Sequence, residues 1–160
     1  MPGELPGILD QGQAKLAEET DLAARLAGTV RALVDVLTPY HSFAASFYKH
    51  AAEPASPLSP FSPQSSPARI ASITLYREVI EGSTARMGPG VRERLPELFW
   101  LYSLGITLLW VHDKSDGCRR TCRLIDATVP VIAQLVAASR LPALRRTLRD
   151  LLAVVDQLSS

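Results

Sequence analysis

Residues 91–112 read VRERLPELFWLYSLGITLLWVH, and the way this stretch must be covered decides the fold. Its apolar residues do not keep to one stripe. On a helical projection Leu95, Phe99, Tyr102, Ile106 and Leu109 define one face, while Trp100, Leu104, Thr107, Leu108 and Val111 define the opposite one. A helix that is apolar on both sides has to be covered on both. Residues 98–111 form an uninterrupted nonionic run of 14, short of the roughly 20 residues that a bilayer crossing needs. The stretch therefore predicts a helix buried in protein, with one flank closed by its own chain and the other offered to a second copy.

The flanking sequence extends the same pattern. Residues 118–139 repeat Cys122, Ile125, Val129, Ile132 and Val136 at alternating spacings of three and four, with Pro130 expected to kink the helix. Residues 142–158 open with a proline in the first turn, where its missing N–H costs nothing. Leu141, Leu144, Leu148, Leu151, Val155 and Leu158 then form a packing seam. Upstream, Gly88-Pro89-Gly90 marks a turn, preceded by a helix over residues 68–81 that buries Ile70, Ile73, Leu75, Tyr76, Val79 and Ile80 and stops at Gly82. Residues 54–67, PASPLSPFSPQSSP, hold five prolines and five serines, which excludes helix and central strand. Leu58 and Phe61 inside this loop are expected to dock onto the helices. Further toward the N-terminus a helix covers residues 40–53. Another, capped by Thr20 or Asp21, carries Leu22, Leu26, Val30, Leu33, Val34 and Leu37 until Pro39 ends it. A weaker pattern with Leu5, Ile8, Leu9 and Leu16 predicts a short helix over residues 4–19. No segment alternates with a period of two, so the class is all-α, a bundle of about seven helices. The organisation is a short helical segment over residues 1–20, a remnant of a linker helix, followed by one domain over residues 21–160.

Composition sets the outer limits. A chain of 160 residues can bury roughly two-thirds of its unfolded surface and needs no staple. With 47% hydrophobic and 21% charged residues it lies far from the signature of disorder. Net charge is +1, which gives no general pull toward nucleic acid or anionic lipid. The late arginines Arg119, Arg120, Arg123, Arg140, Arg145, Arg146 and Arg149 read as solvated helix faces. Cys118 and Cys122 read as two reduced thiols, and the N-terminus has no apolar leader. A cytoplasmic protein with no membrane association is expected.

Chemistry is hard to find. His41, His50 and His112 belong to no H-E-x-x-H pair, and no nucleophile elbow, G-x-G-x-x-G turn or P-loop is present. His41, His50 and Glu53 are best read as polar residues on a wet helix side, and His112-Asp113 as the end of a helix, where a histidine is favourable by dipole alone. A structural zinc site would need four ligands, and only His112 lies near the cysteines. No catalytic residue, metal or cofactor is expected. Aromatic residues are the stronger signal, since all ten fall between Tyr40 and Trp110. Tyrosine hydroxyls on an apolar face can orient a mostly hydrophobic small molecule, and simple core packing explains the same spacing.

Residues 21–63 (DLAARLAGTVRALVDVLTPYHSFAASFYKHAAEPASPLSPFSP), 73–82 (ITLYREVIEG), 95–115 (LPELFWLYSLGITLLWVHDKS) and 123–136 (RLIDATVPVIAQLV) together resemble the C-terminal effector-binding domain of TetR-family transcriptional regulators. In that family two long helices from each subunit form a four-helix dimer bundle, and the preceding helices enclose a pocket for a small, often apolar effector. The resemblance implies a homodimer paired through Trp100, Leu104, Thr107, Val111, Ile125, Val129, Ile132 and Val136. It implies a pocket for an apolar or amphipathic effector lined by Tyr40, Phe43, Phe47, Phe61, Tyr76, Phe99, Tyr102 and Ile106. A complete member also carries a DNA-reading helix-turn-helix, which residues 1–20 cannot supply. DNA binding is thus expected only where a longer chain provides one.

Two functions follow from these residues. The first is the ligand-sensing and dimerisation domain of a TetR-like regulator. The second is a stand-alone helical interaction module that pairs with another regulator or partner without a small-molecule ligand.

Overall fold

The computed structural model describes residues 18–51, 53 and 55–159, without the side chains of residues 155, 158 and 159. Among the described residues there are six α-helices and no strand. They are α1 (Leu22–Leu37), α2 (His41–Ala51), α3 (Ser66–Glu81), α4 (Val91–His112), α5 (Arg119–Ala138) and α6 (Pro142–Ser159). The class is all-α, as the sequence predicts, and the expected helix over residues 4–19 lies outside the described residues apart from its last two. Helix α4 forms the axis of the fold, with α3, α2, α5 and α1 packed around it and α1 bridging α3 and α5.

Local chemistry explains the helix limits. Asp21 caps α1 by accepting the Ala24 N–H at 2.9 Å. Pro39 tightens the chain into a 3₁₀ turn over Thr38–Tyr40, after which α2 runs from His41 to Ala51, two residues before the expected limit. Pro67 lies in the first turn of α3, which starts at Ser66. Gly82 ends α3 with ordinary right-handed torsions, so a left-handed cap is not the reason for a glycine there. A Cβ at this position would lie 2.2 Å from Arg25 Nη2. The buried Arg25 guanidinium donates to the carbonyls of Val79 (2.8 Å), Glu78 (3.1 Å) and Glu19 (2.8 Å), placing a cation on the C-terminal end of α3.

The proline- and serine-rich loop is ordered by its own repeat. The N–H groups of Ser56, Ser59, Ser62 and Ser65 donate to the carbonyls of Glu53, Ser56, Ser59 and Ser62 in turn, at 2.9–3.2 Å. Each of these turns has proline in its second position, the place that tolerates a missing N–H and a fixed φ. The expectation that Leu58 and Phe61 dock is corrected. Leu58 and Phe61 both stay exposed, and the serine edge, Ser59 and Ser62, is buried instead. The serine groups find hydrogen bonds within the turns, whereas the third position of each turn points outward. Phe61 meets the core residue Trp100 edge-on, with ring centroids 5.5 Å apart. On α3 the expected burial holds for Tyr76, Val79 and Ile80 but not for Ile70 and Leu75, which are exposed.

Helix α5 also satisfies the length and composition of a membrane span when taken with its preceding turn, Asp116–Ala138. Its hydropathy has a structural source. Thr121, Ile125, Val129 and Val136 pack into the core, and a second apolar stripe lies on another flank.

Candidate ligand cleft and pairing face

Two cavities lie side by side where α6 meets the start of α4 and the end of α5. The inner one, about 220 Å³, is walled by Leu95, Leu98, Phe99 and Tyr102 of α4, Ile132, Leu135 and Val136 of α5, and Leu148 and Leu152 of α6. The outer one, about 410 Å³, is bordered by Glu93, Arg94, Arg145, Arg149 and Asp156. Val91, Ser139, Leu148 and Leu152 border both, so the two are chambers of one cleft. Arg94 forms a two-point ion pair with Asp156, one of its bonds 2.6 Å long, which ties α6 to α4 across the outer chamber.

The cleft keeps its shape through a clamp between the loop and the end of α5. Gly88 N–H donates to Ser139 Oγ at 2.8 Å, and the Ser139 hydroxyl donates to the Val136 carbonyl. The approach is so close that a Cβ on Gly88 would lie 2.3 Å from the Ser139 carbonyl oxygen. The clamp fixes the point at which α6 departs. Beyond it α6 meets the fold along one edge, with Leu148 and Leu152 half-buried and Leu141, Leu144, Leu151 and Val154 exposed.

The second feature is a surface. Gly105, Leu108 and Leu109 are exposed on the outer side of α4, flanked by Leu98, Leu101 and Leu104, which are half-buried against the edge of the core, and no charged residue lies among residues 98–109. Leu124, Ala127, Val131 and Leu135 form an exposed stripe on α5 beside it. The two helices are joined by Tyr102, whose hydroxyl hydrogen-bonds Thr128 Oγ1 at 2.6 Å. Because the Thr128 hydroxyl already donates to the Leu124 carbonyl, the phenol is the donor. Burial pushes the Tyr102 phenol above its ordinary range, against the opposing pull of Thr128, so the group stays protonated at neutral pH. Leu98, Tyr102 and Leu135 belong to this face and also wall the inner chamber.

The turn from α4 to α5 is built around Asp113. Its carboxylate accepts the N–H and hydroxyl of Ser115 at 2.9 and 2.6 Å, and the N–H and hydroxyl of Thr121 at 2.9 and 2.7 Å. Ser115 Oγ in turn accepts the Arg120 N–H at 3.1 Å. Cys118, the residue at the N-cap, sits in the left-handed region at φ 52° with no side-chain bond to the helix, so Asp113 and Ser115 do its capping from upstream. Burial would raise the Asp113 pKa, but the four hydrogen bonds win and hold the carboxyl well below its usual range.

A family model described as tetracyclin repressor-like, C-terminal domain, matches residues 25–155. The chain belongs to this TetR-like family. Comparison with curated proteins gives no match.

Within this TetR-like domain the residues expected at the dimer interface divide. Trp100, Thr107, Val111, Ile125, Val129 and Val136 are buried in the subunit itself, with Ile125 fully enclosed, and so cannot face a partner. The physical reason is that α1 covers this side of α5, and α2 and α3 cover that side of α4. Leu104 and Ile132 are half-buried, Leu104 on the open side of α4 and Ile132 in the inner chamber. The helices expected to pair do carry an open apolar face, but of the expected residues Leu104 alone borders it, and its exposed residues are Leu108, Leu109, Leu124, Val131 and Leu135. Leu124, Ala127, Val131 and Leu135, at spacings of three, four and four, form a second stripe on α5 that is legible from spacing.

The expected effector residues do not gather around one pocket. Tyr76, Phe99 and Ile106 are buried, with Tyr76 and Phe99 in an edge contact at 6.1 Å. Tyr40, Phe43 and Phe61 are more than 60% exposed and Phe47 is 38% exposed. Of the eight, Phe99 and Tyr102 wall the inner chamber. Helix α2 packs on α4 through His41 and Ala44, which leaves Phe43 and Phe47 on its outer side, their ring centroids 6.3 Å apart. Of the two residues that border the cleft from the last helix, Leu148 reads from sequence as a packing residue, and Leu152 lies outside the seam that the spacing defines.

Proposed function

We propose that this chain is the ligand-sensing and dimerisation part of a cytoplasmic TetR-type transcriptional regulator, acting on DNA through a helix-turn-helix in the full regulator. It binds rather than turns over its small molecule. The observation that carries the reading is the uncharged two-helix face of α4 and α5, which a monomer would leave in water at a cost that pairing removes. A second copy is the natural cover, because the face is self-complementary in chemistry and a two-fold contact presents the same patch from both subunits.

The apolar cleft supports the sensing half of the reading. Leu98, Tyr102 and Leu135 form a shared wall, so a ligand that reshapes the inner chamber also changes the back of the pairing face. Such a ligand shifts the regulator only through a difference in affinity between two dimer geometries. Light scattering combined with a ligand-shift melting screen tests the proposal. A dimer that melts higher with apolar or amphipathic small molecules supports it.

The exposed stripe of Tyr40, Phe43 and Phe47 on and just before α2 favours a second reading, a helical module that binds another protein. A monomer that associates only with a foreign chain, and whose melting no small molecule shifts, would establish that alternative.

A further inference from the structure

The two chambers of the cleft differ in chemistry, and the difference selects a ligand class. The inner chamber has two polar side chains on its wall, Tyr102 and Ser139, and both are already committed, to Thr128 and to the Gly88–Val136 clamp. Whatever enters there must be apolar, since a polar group would lose its water without gaining a partner. The outer chamber is charged. Arg94 and Asp156 neutralise each other, which leaves Arg145 and Arg149 facing the single carboxylate of Glu93. Arg145 and Arg149 stand one helical turn apart on α6, and among the described residues neither makes an ion pair. Two guanidinium groups at that spacing can hold one planar anion between them.

Resting on the proposal that the cleft is the ligand site, we propose that its ligand is an amphipathic anion. The apolar chain lies in the inner chamber and a carboxylate head meets Arg145 and Arg149 at the mouth.

Isothermal titration of the whole chain with decanoate, decanol and decyltrimethylammonium tests this, with melting curves recorded on the same samples. Decanoate is expected to bind at least about tenfold more tightly than decanol, the size of one charge-assisted hydrogen bond, and the cation more weakly than either. In R145A/R149A, whose substituted side chains are exposed and leave the fold intact, decanoate should fall to the level of decanol while decanol is unchanged. Leu148→Trp, which fills the inner chamber, should abolish binding of both. Equal binding of decanoate and decanol to the parent, or an undiminished preference for decanoate in R145A/R149A, overturns the anion assignment while the cleft keeps its role. Failure of all three compounds to bind overturns the cleft as a ligand site and this inference with it.

Discussion

Asp113 and Thr121 are joined twice, the carboxylate of the first accepting both the N–H and the hydroxyl of the second across the turn between α4 and α5. The pair does for α5 what a local capping residue does in most helices, and it does so inside the protein. Asp113→Ala is expected to destabilise the fold by roughly 2–3 kcal/mol, because several buried donors lose their acceptor at once. Asp113→Asn, which keeps the shape but not the charge, should lie between Ala and the parent. Urea unfolding at pH 7 measures both, and an unchanged midpoint for Asp113→Ala would contradict the role.

The same carboxylate sets an acid limit. A group whose folded pKa is depressed contributes stability that is present above its unfolded pKa, about 3.9 for aspartate, and is lost as pH falls toward the folded value. Stability should therefore decline below about pH 4 in the parent. Asp113→Asn, already deprived of the charge, should show a shallower decline over that range. Parallel acid-limb slopes in the two proteins would remove Asp113 as the cause.

Gly88→Ala places a methyl group against the Ser139 carbonyl, where backbone rather than a flexible side chain must give way. A loss of about 1–3 kcal/mol is expected, as for overpacked core positions. The change should also displace α6, so ligand affinity at the cleft should fall more than stability alone explains. Calorimetric melting with and without decanoate separates the two effects.

Arg25→Met removes the donor that holds the carbonyls of Glu78 and Val79, and should cost roughly 2–4 kcal/mol. Gly82→Ala acts on the same contact from the other side, by pushing the guanidinium away. If both act through one contact, the double variant should be less destabilised than the sum of the singles. Additive losses would show that Gly82 matters for another reason.

Leu108→Arg with Val131→Glu charges the proposed pairing face without touching the core, since both side chains are about half exposed. The double variant should sediment as a monomer at concentrations where the parent is a dimer. Its secondary structure should be unchanged by circular dichroism. A parent that is itself monomeric would remove the pairing proposal.

Much of the fold could be read from the residues because its boundaries are chemical. Gly88-Pro89-Gly90 and Asp113 limit α4, Asp21 and Pro39 limit α1, and these positions act locally whatever the rest of the chain does. What spacing cannot reveal is which neighbour covers a stripe. Ile125, Val129 and Val136 repeat as an interface would, yet α1 occupies that side, and only the three-dimensional path of the chain decides between own subunit and twin. The aromatic residues failed for a related reason. Tyr40, Phe43 and Phe47 look like a pocket wall in projection, but His41 and Ala44 take the side of α2 that meets α4, and the aromatic residues face outward. The cleft was only partly legible: Phe99 and Tyr102 read as pocket residues, but the opposite walls, from the end of α5 and from α6, come from residues such as Ile132, Val136 and Leu148 that read as ordinary packing.

The ribbon of serine turns over residues 53–65 has a consequence for how the sequence can vary in length. Each unit closes its own hydrogen bond within three residues, so adding or removing one whole Ser-Pro-x unit leaves every remaining turn intact. An insertion of one residue would instead rotate all that follows, bringing an outward position such as Phe61 to the inward edge that Ser59 and Ser62 now occupy. Length changes in this segment should come in threes.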